Sequence, residues 1–288
     1  MTNDWRDKYD YVGSFHEGLA EVKLDGKYGF IDKTGNIVIP PRYDVAGTFE
    51  RGLARVVLDG KYGFIDKQDN IVIELKYDYA RPFYEGLAGV NIGGRCNEHI
   101  LFSGGKWGFV DQQGKEVVEP KYDTVGDFSE GFAAVKLKGK YGFVDQQGKE
   151  VVRPKYDDVE GFYKGFAKVK LKGKYGFVDK QGEEVVPPKY DNVEGFPDGV
   201  AVVELNGKYD SIDMQGEGVV YDCVGDFLEN GLAAVELEGL WGFVNEQLKE
   251  VVRPKYHYVG LFHKGLVLVK LDNKWGFVNK QGKEVAEP

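Results

Sequence analysis

Cysteine and methionine are nearly absent, two of each in 288 residues. Cys96 and Cys223 share no Cys-x-x-Cys spacing, so neither a disulfide framework nor a zinc site can be built from them, and both read as free thiols. No run approaches the roughly 18 apolar residues of a membrane span. The start, Met1-Thr2-Asn3-Asp4-Trp5-Arg6, lacks the basic-then-apolar pattern of a signal segment. Positive charge is in deficit as well: 47 acidic against 38 basic residues, a formal net charge of −9, leave no basic stripe for a phosphate backbone. The expectation is a soluble cytoplasmic protein with neither nucleic acid nor membrane as partner.

The chain also lacks a GxxxxGK[ST] phosphate loop, a Gly-x-Ser-x-Gly elbow and any HxxxH or HExxH pair. Its four histidines, His16, His99, His257 and His263, read as exposed loop residues rather than ligands. No catalytic residue, metal or cofactor is expected.

Glycine (40), tyrosine (18) and phenylalanine (18) are abundant, and they recur in order. A Tyr, usually followed by Asp, stands at Tyr9, Tyr43, Tyr77, Tyr122, Tyr156, Tyr190, Tyr221 and Tyr256, at spacings of 34, 34, 45, 34, 34, 31 and 35. Six positions on comes a Phe, as at Phe15, Phe49 and Phe128, then a Gly, then an alternating run such as Phe132 to Leu137. In that run Ala133, Val135 and Leu137 share one face, the period of a strand. Two residues, as in Asp25-Gly26 or Asn206-Gly207, then join it to Lys-Tyr/Trp-Gly-Phe-Ile/Val-Asp. Gly, Asn and Asp tolerate the positive φ of primed hairpin turns, so the two strands pair antiparallel. A turn such as Lys33 to Asn36 leads to a third strand, expected to stop at Pro40, Pro120, Pro154, Pro187 and Pro254, because proline cannot donate to a ladder. The Tyr-Asp-x-Val-x-x-Phe segment is the fourth extended piece.

Tyr/Trp-Gly-Phe-Ile/Val-Asp followed by Lys-x-Gly-x-x-Val and Pro-x-Tyr-Asp resembles the WG (KWG) repeat family of bacterial proteins, with Trp107-Gly108, Trp241-Gly242 and Trp275-Gly276 as its signature here. The resemblance covers nearly the whole chain. It implies a repeat architecture and no shared catalytic residues.

The fold class expected is all-β: eight tandem antiparallel β-repeats of about 34 residues in a single repeat domain, 1–288. Neither the first copy (Leu19 to Ile31) nor the last (Leu266 to Val278) has the polar character of a solenoid cap. Closure into a β-propeller is therefore expected, with the segment from Tyr9 to Phe15 completing the last blade; an open β-hairpin solenoid is the alternative. Two copies depart from the pattern. The third carries an eleven-residue insertion (45 − 34 = 11) near 93–103. The degenerate sixth, 190–220, has Asp210 and Ser211 where Gly and Phe belong and is three residues short, so it is expected to be distorted.

The recurrent aspartates could supply an acid and base pair, but they repeat in nearly every unit, and Asn245 and Asn279 replace them, as suits an Asx turn and not a general acid. Variable aromatic and Arg residues between units suit recognition better: Tyr11, His16, Arg51, Tyr79, Arg81, Tyr84, Tyr163, Tyr258 and His263, with Arg95, Glu98 and His99 of the insertion. Of these, Tyr79, Arg81, Tyr84, Arg95, Glu98, His99, Tyr163, Tyr258 and His263 are the candidate binding residues. The function expected is a non-enzymatic protein-interaction scaffold. The alternatives are a glycan-binding lectin using the repeated aromatics, and an enzyme with its site at Asp210, Ser211 and Asp213 of the sixth copy.

Overall fold

The computed structural model describes residues 5–96, 102–194, 200–213, 218–225, 231–245, 250–263 and 265–285. All regular structure in them is β, apart from a 3₁₀ turn at Trp5–Lys8. The strands form eight four-stranded antiparallel sheets, each a meander in sequence order. The first comprises Tyr11–Val12, Leu19–Leu24, Lys27–Asp32 and Ile37–Tyr43, and the other seven follow the same plan. The chain divides into two compact units, 1–156 with 161–163 and 157–160 with 164–288. Each holds four sheets.

Every sheet opens with the segment that follows the repeat's Tyr, Tyr-Asp-x-Val in five of the eight, and this segment pairs with the strand that follows it; Tyr11–Val12 lies against Lys23 and Val22. This corrects the expected strand exchange. The N-terminal segment completes the first sheet, and the last sheet takes its fourth strand from Glu284–Val285. The physical reason is proximity. The short corner at Glu17–Gly18 returns the chain onto Leu19–Leu24 at a small loop-closure cost.

The two middle strands form the hairpin read from the sequence. In the first sheet Leu24 faces Lys27 across Asp25–Gly26, whose φ values are 51° and 80°. The closing strand runs through its proline instead of stopping there, as in Glu150–Tyr156, which contains Pro154. The register explains why. Tyr141 faces Tyr156, Phe143 faces Val152 and Val144 faces Glu150, so the sum of paired numbers falls from 297 to 294 and three extra residues bulge out of the ladder. Proline sits in that bulge, where no ladder N–H is required.

The bulge also dictates the glycine of the Trp-Gly signature. A Cβ at Gly142 would lie 2.2 Å from the Val152 carbonyl oxygen, and one at Gly108 2.2 Å from that of Val118. Only a residue without a side chain lets the closing strand approach so near.

In the sixth repeat the shortened closing strand, Gly218–Tyr221, pairs flat, Tyr209 with Tyr221, Asp210 with Val220, Ser211 with Val219 and Ile212 with Gly218. The three residues by which the repeat is short are the three of the bulge, and where the bulge is gone the signature glycine is replaced by Asp210. The expected distortion is therefore a regularisation of the ladder.

Sheets stack face to face, because one meander cannot cover its own apolar faces. In the first unit Phe30, Ile39 and Tyr43 of the first sheet meet Phe49, Ala54, Val56 and Ile65 of the second. In the second unit Phe177, Val186 and Tyr190 of the fifth sheet meet Val193, Ala201, Val203 and Ile212 of the sixth. Trp5 and Tyr9 pack, with Val12 and Phe15, on Ala20, Val22 and Ile31, so the first sheet's other face is covered by the segment that precedes it.

Candidate binding site at the third hairpin

The repeated aspartates have structural partners. Asp32, ending its strand, accepts the N–H groups of Thr34 and Asn36 at 2.8 and 3.0 Å, and Asp66, Asp111, Asp145 and Asp179 do the same in their turns. Asn279 closes an identical Asx turn onto Gln281 and Lys283. The Tyr-Asp aspartates join one sheet to the next. Asp78 pairs with Lys61 of the second sheet at 2.7 Å and accepts the Gly93 N–H of the third at 2.6 Å. The preceding Tyr77 is buried, and its hydroxyl donates to Glu116 at 2.9 Å.

What these roles leave over concentrates in the third sheet: Tyr79–Tyr84, Leu87–Cys96, Phe102–Asp111 and Glu116–Tyr122. Ile92 faces Lys106 where other repeats turn after two residues, and here thirteen intervene, eleven more. The insertion is thus an extension of the hairpin. Gly93 and Gly105 stand at the place of the ordinary turn with φ of 83° and 68°, and pairing resumes at Gly94 with Gly104, Arg95 with Ser103 and Cys96 with Phe102. Asn91, with none of its surface exposed, locks the junction: its Oδ1 accepts the Gly94 N–H at 3.0 Å and its Nδ2 donates to the Gly104 carbonyl at 3.2 Å. Such a buried amide is retained only when both ends are satisfied.

The extension walls one side of an open cleft of about 510 Å³. Ser103 and Gly104 come from the extension, Tyr79 and Arg81 from the opening strand, Trp107 from the hairpin, and Asp123 and Thr124 from the start of the fourth sheet. The Arg81 guanidinium lies 4.9 Å from the centre of the Trp107 ring and pairs with Asp127 at 3.2 Å. Tyr79 touches Tyr62 and Trp107, at ring separations of 5.0 and 5.9 Å. Lys106 and Asp123 form an ion pair at the mouth, 2.6 Å long. Position 81 holds Gly in the equivalent places 13, 47, 126, 225 and 260, so the Arg is peculiar to the third copy.

The sequence-nominated residues fall at two ends of the sheets. Tyr79, Arg81 and Arg95 stand at or near the hairpin end of the third sheet, and Tyr258 holds the position of Tyr79 in the eighth, 5.6 Å from Trp275. Tyr84, Tyr163 and His263 occupy the opposite, corner end of their repeats, all exposed. Tyr79 and Tyr84, five residues apart on one strand, are separated by roughly 17 Å. One continuous face does not contain them all. Glu98 and His99 lie outside the described residues, as do the side chains of Asp210, Ser211 and Asp213. The sequence reading weighed Trp107 as packing or as a sugar platform and Asp123 as a turn residue, without nominating either for the contact face, and it missed Asn91, Ser103, Gly104 and Thr124. The repeat alignment could have exposed Asn91, because its equivalents are Lys23, Val57 and Lys136.

Trp107 is 7% exposed and capped by Arg81, so its face is not free for a sugar ring. Among the described residues no three His, Cys, Asp or Glu side chains are grouped as metal ligands. Cys223 is a free, exposed thiol.

A family model described as the WG containing repeat matches residues 8–28, 28–62, 62–96, 107–141, 141–175, 175–209, 219–241, 241–275 and 275–288. No curated protein matches the chain. Among solved structures it is similar to a eukaryotic initiation factor, at 9% identity over 94% of this chain and 95% of that one, with a TM-score of 0.38. BamB from Moraxella catarrhalis gives 11% identity over 94% and 91%, at 0.33. YCF48 bound to a D1 peptide gives 11% over 76% and 87%, at 0.29.

Proposed function

The chain belongs to the family of WG-containing repeats, and from that premise we propose that it is a non-enzymatic scaffold that holds a segment of a protein partner at the hairpin end of its third sheet, in the cytoplasm. The observation that carries this reading is the one extended hairpin. It turns a two-residue turn into a projecting ribbon beside a cleft in which the signature Trp107 is joined by Arg81, a residue the repeat does not require. Arg and Trp are residue types that dominate binding energy where they are partly desolvated, and backbone groups along the ribbon's outer edges suit an added strand. The recurrent carboxylates support a scaffold over a catalyst, because Asp32, Asp66, Asp111, Asp145 and Asp179 are engaged in turns and Asp44, Asp78, Asp123 and Asp191 in the joining of sheets.

Replacing residues 93–105 by Lys-Gly gives the third repeat an ordinary turn. Affinity capture with the intact chain should recover a specific protein that the trimmed chain and Arg81→Ala lose, while Tyr163→Ala retains it. The same proteins on all four baits would sink the assignment.

A further inference from the structure

Each repeat passes from its opening strand to its hairpin through a two-residue corner, and in two described cases that corner holds a carboxylate. At Arg51–Gly52, with φ of 52° and 84°, the two N–H groups donate to the two oxygens of Glu17, at 2.6 and 2.9 Å. Lys67 Nζ donates to the Glu17 carbonyl at 2.9 Å and pairs with its carboxylate at 3.1 Å. The Lys67 ammonium and the corner N–H groups hold the Glu17 carboxyl below its usual range. At Glu130–Gly131, with φ of 53° and 88°, the same arrangement takes Glu85, at 2.9 and 2.8 Å. Gln146 stands there in the place of Lys67, its Nε2 3.3 Å from the Glu85 carboxylate and 3.5 Å from the Glu85 carbonyl.

The rule is regular. The carboxylate belongs to the corner of the preceding repeat. The side-chain donor is the residue that follows the Asx-turn aspartate of the repeat that owns the corner, Lys67 after Asp66 and Gln146 after Asp145.

Between these two lies the corner Glu85–Gly86, with φ of 49° and 88°, the same backbone. The preceding corner offers it Arg51, which has donors and no acceptor. Its side-chain donor by the same rule is Gln112, after Asp111. The Nε2 of Gln112 is buried with no hydrogen-bond partner, the one such side-chain atom among the described residues. Native structures rarely keep a buried donor unpaired without a use for it. Among the described residues the Arg51 side chain makes no ion pair, and it is exposed; by the same rule its place is at the corner that follows. Tyr84, 45% exposed, directly precedes that corner and offers an apolar flank.

We infer that the Glu85–Gly86 corner, with Gln112 and Arg51, is a binding site for a carboxylate brought by another molecule, either an Asp or Glu side chain of a polypeptide or a free small carboxylate. Two N–H donors, one amide donor and a guanidinium form an oxyanion receptor, and charge-assisted bonds of this kind are the stronger ones. The site lies at the opposite end of the third sheet from the cleft and stands independently of the interaction proposed there.

The test is an NMR titration of the full ¹⁵N-labelled chain at constant ionic strength, with sodium acetate, with the capped peptide acetyl-Gly-Glu-Gly-amide and with its Gln counterpart. Saturable shifts are expected at the Glu85 and Gly86 amides and the Gln112 side-chain amide with the first two, and none with the third. Arg51→Glu supplies the carboxylate from within the chain. Those three signals should then be displaced at the start and unresponsive, and the melting temperature should rise. Tighter binding of the Glu peptide than of acetate assigns the site to polypeptide acids; equal binding assigns it to free carboxylates. Absence of saturable shifts at the three signals, or the same response in Arg51→Glu as in the parent chain, overturns the proposal.

Discussion

The coupling between the signature glycine and the closing-strand bulge can be measured in the fourth repeat. A methyl group at Gly142 would stand 2.2 Å from the Val152 oxygen, 2.7 Å from the Pro154 nitrogen and 2.8 Å from the Arg153 carbonyl carbon. Carbon and oxygen approach comfortably only to about 3.3 Å, and the opposing atoms are all backbone, so no rotamer change relieves the overlap. Overpacking of this severity belongs at the upper end of the ~1–3 kcal/mol range, and the entropy gained by replacing glycine in a strand offsets ~0.5–1 kcal/mol of it. Gly142→Ala is therefore expected to destabilise the protein by about 2 kcal/mol, a fall in Tm of roughly 4–8 °C for a unit of this size. The sixth repeat supplies the control, since its flat ladder carries Asp210 at that position. Deleting 153–155 shortens the fourth repeat to the sixth repeat's spacing of 31. In that background Gly142→Ala should cost less than about 0.5 kcal/mol, a coupling energy near 1.5 kcal/mol. Thermal and urea denaturation of the four proteins completes the cycle. An unchanged Tm for Gly142→Ala alone, or the same loss in both backgrounds, would refute the reasoning.

Four further expectations concern the joins, the turns and the extended hairpin. Tyr122→Phe removes the hydroxyl that donates to Glu150 at 2.8 Å and should cost about 1 kcal/mol in denaturation experiments. Burial, and donation to Glu116 and Glu150, push the Tyr77 and Tyr122 hydroxyls above their ordinary value. A raised folded pKa favours the folded state while the proton is held, so this stability is intact below the unfolded value of about 10 and is lost as pH climbs beyond it. Thermal melts from neutral to strongly alkaline pH should therefore fall less steeply for a Tyr77→Phe, Tyr122→Phe double variant than for the parent. Asp32, held down at about 2 by the Thr34 hydroxyl and by the Asn36 and Thr34 N–H groups, should tolerate Asp32→Asn, because Asn279 closes the same turn, whereas Asp32→Ala should lower Tm. Equal melting of the Asn and Ala variants would show that the turn does not depend on its acceptor. Asn91→Ala should deprive the buried Gly94 N–H and the exposed Gly104 carbonyl of their side-chain partner and lower the hydrogen-exchange protection of the extended hairpin.

The repeat, its hairpin and its Asx turns were legible because each is local: positive φ at Asp25–Gly26, alternation in Phe132 to Leu137, and an acceptor two residues before the N–H it binds. The sequence also marked the third and sixth copies as exceptional, through spacings of 45 and 31. Four features were decided only by the folded arrangement of strands. The Tyr-Asp segment could pair backward or forward with equal chemical sense, and the nearness of Leu19–Leu24 made it forward. Proline was read as a strand end because its lost donor was visible in the sequence and the bulge that makes that loss harmless was not. Asp210 looked like damage until the flat ladder showed that it had lost its bulge as well. The carboxylate corner is the fullest case, because the Arg51–Gly52 amides and Lys67 that hold Glu17 are 34 to 50 residues from it. Sequence by itself determined the strands, the turns and where the pattern breaks, since these depend on φ preferences and alternation within a few residues. Only tertiary structure decided what each break does, since that depends on which backbone groups of a neighbouring sheet are left facing it.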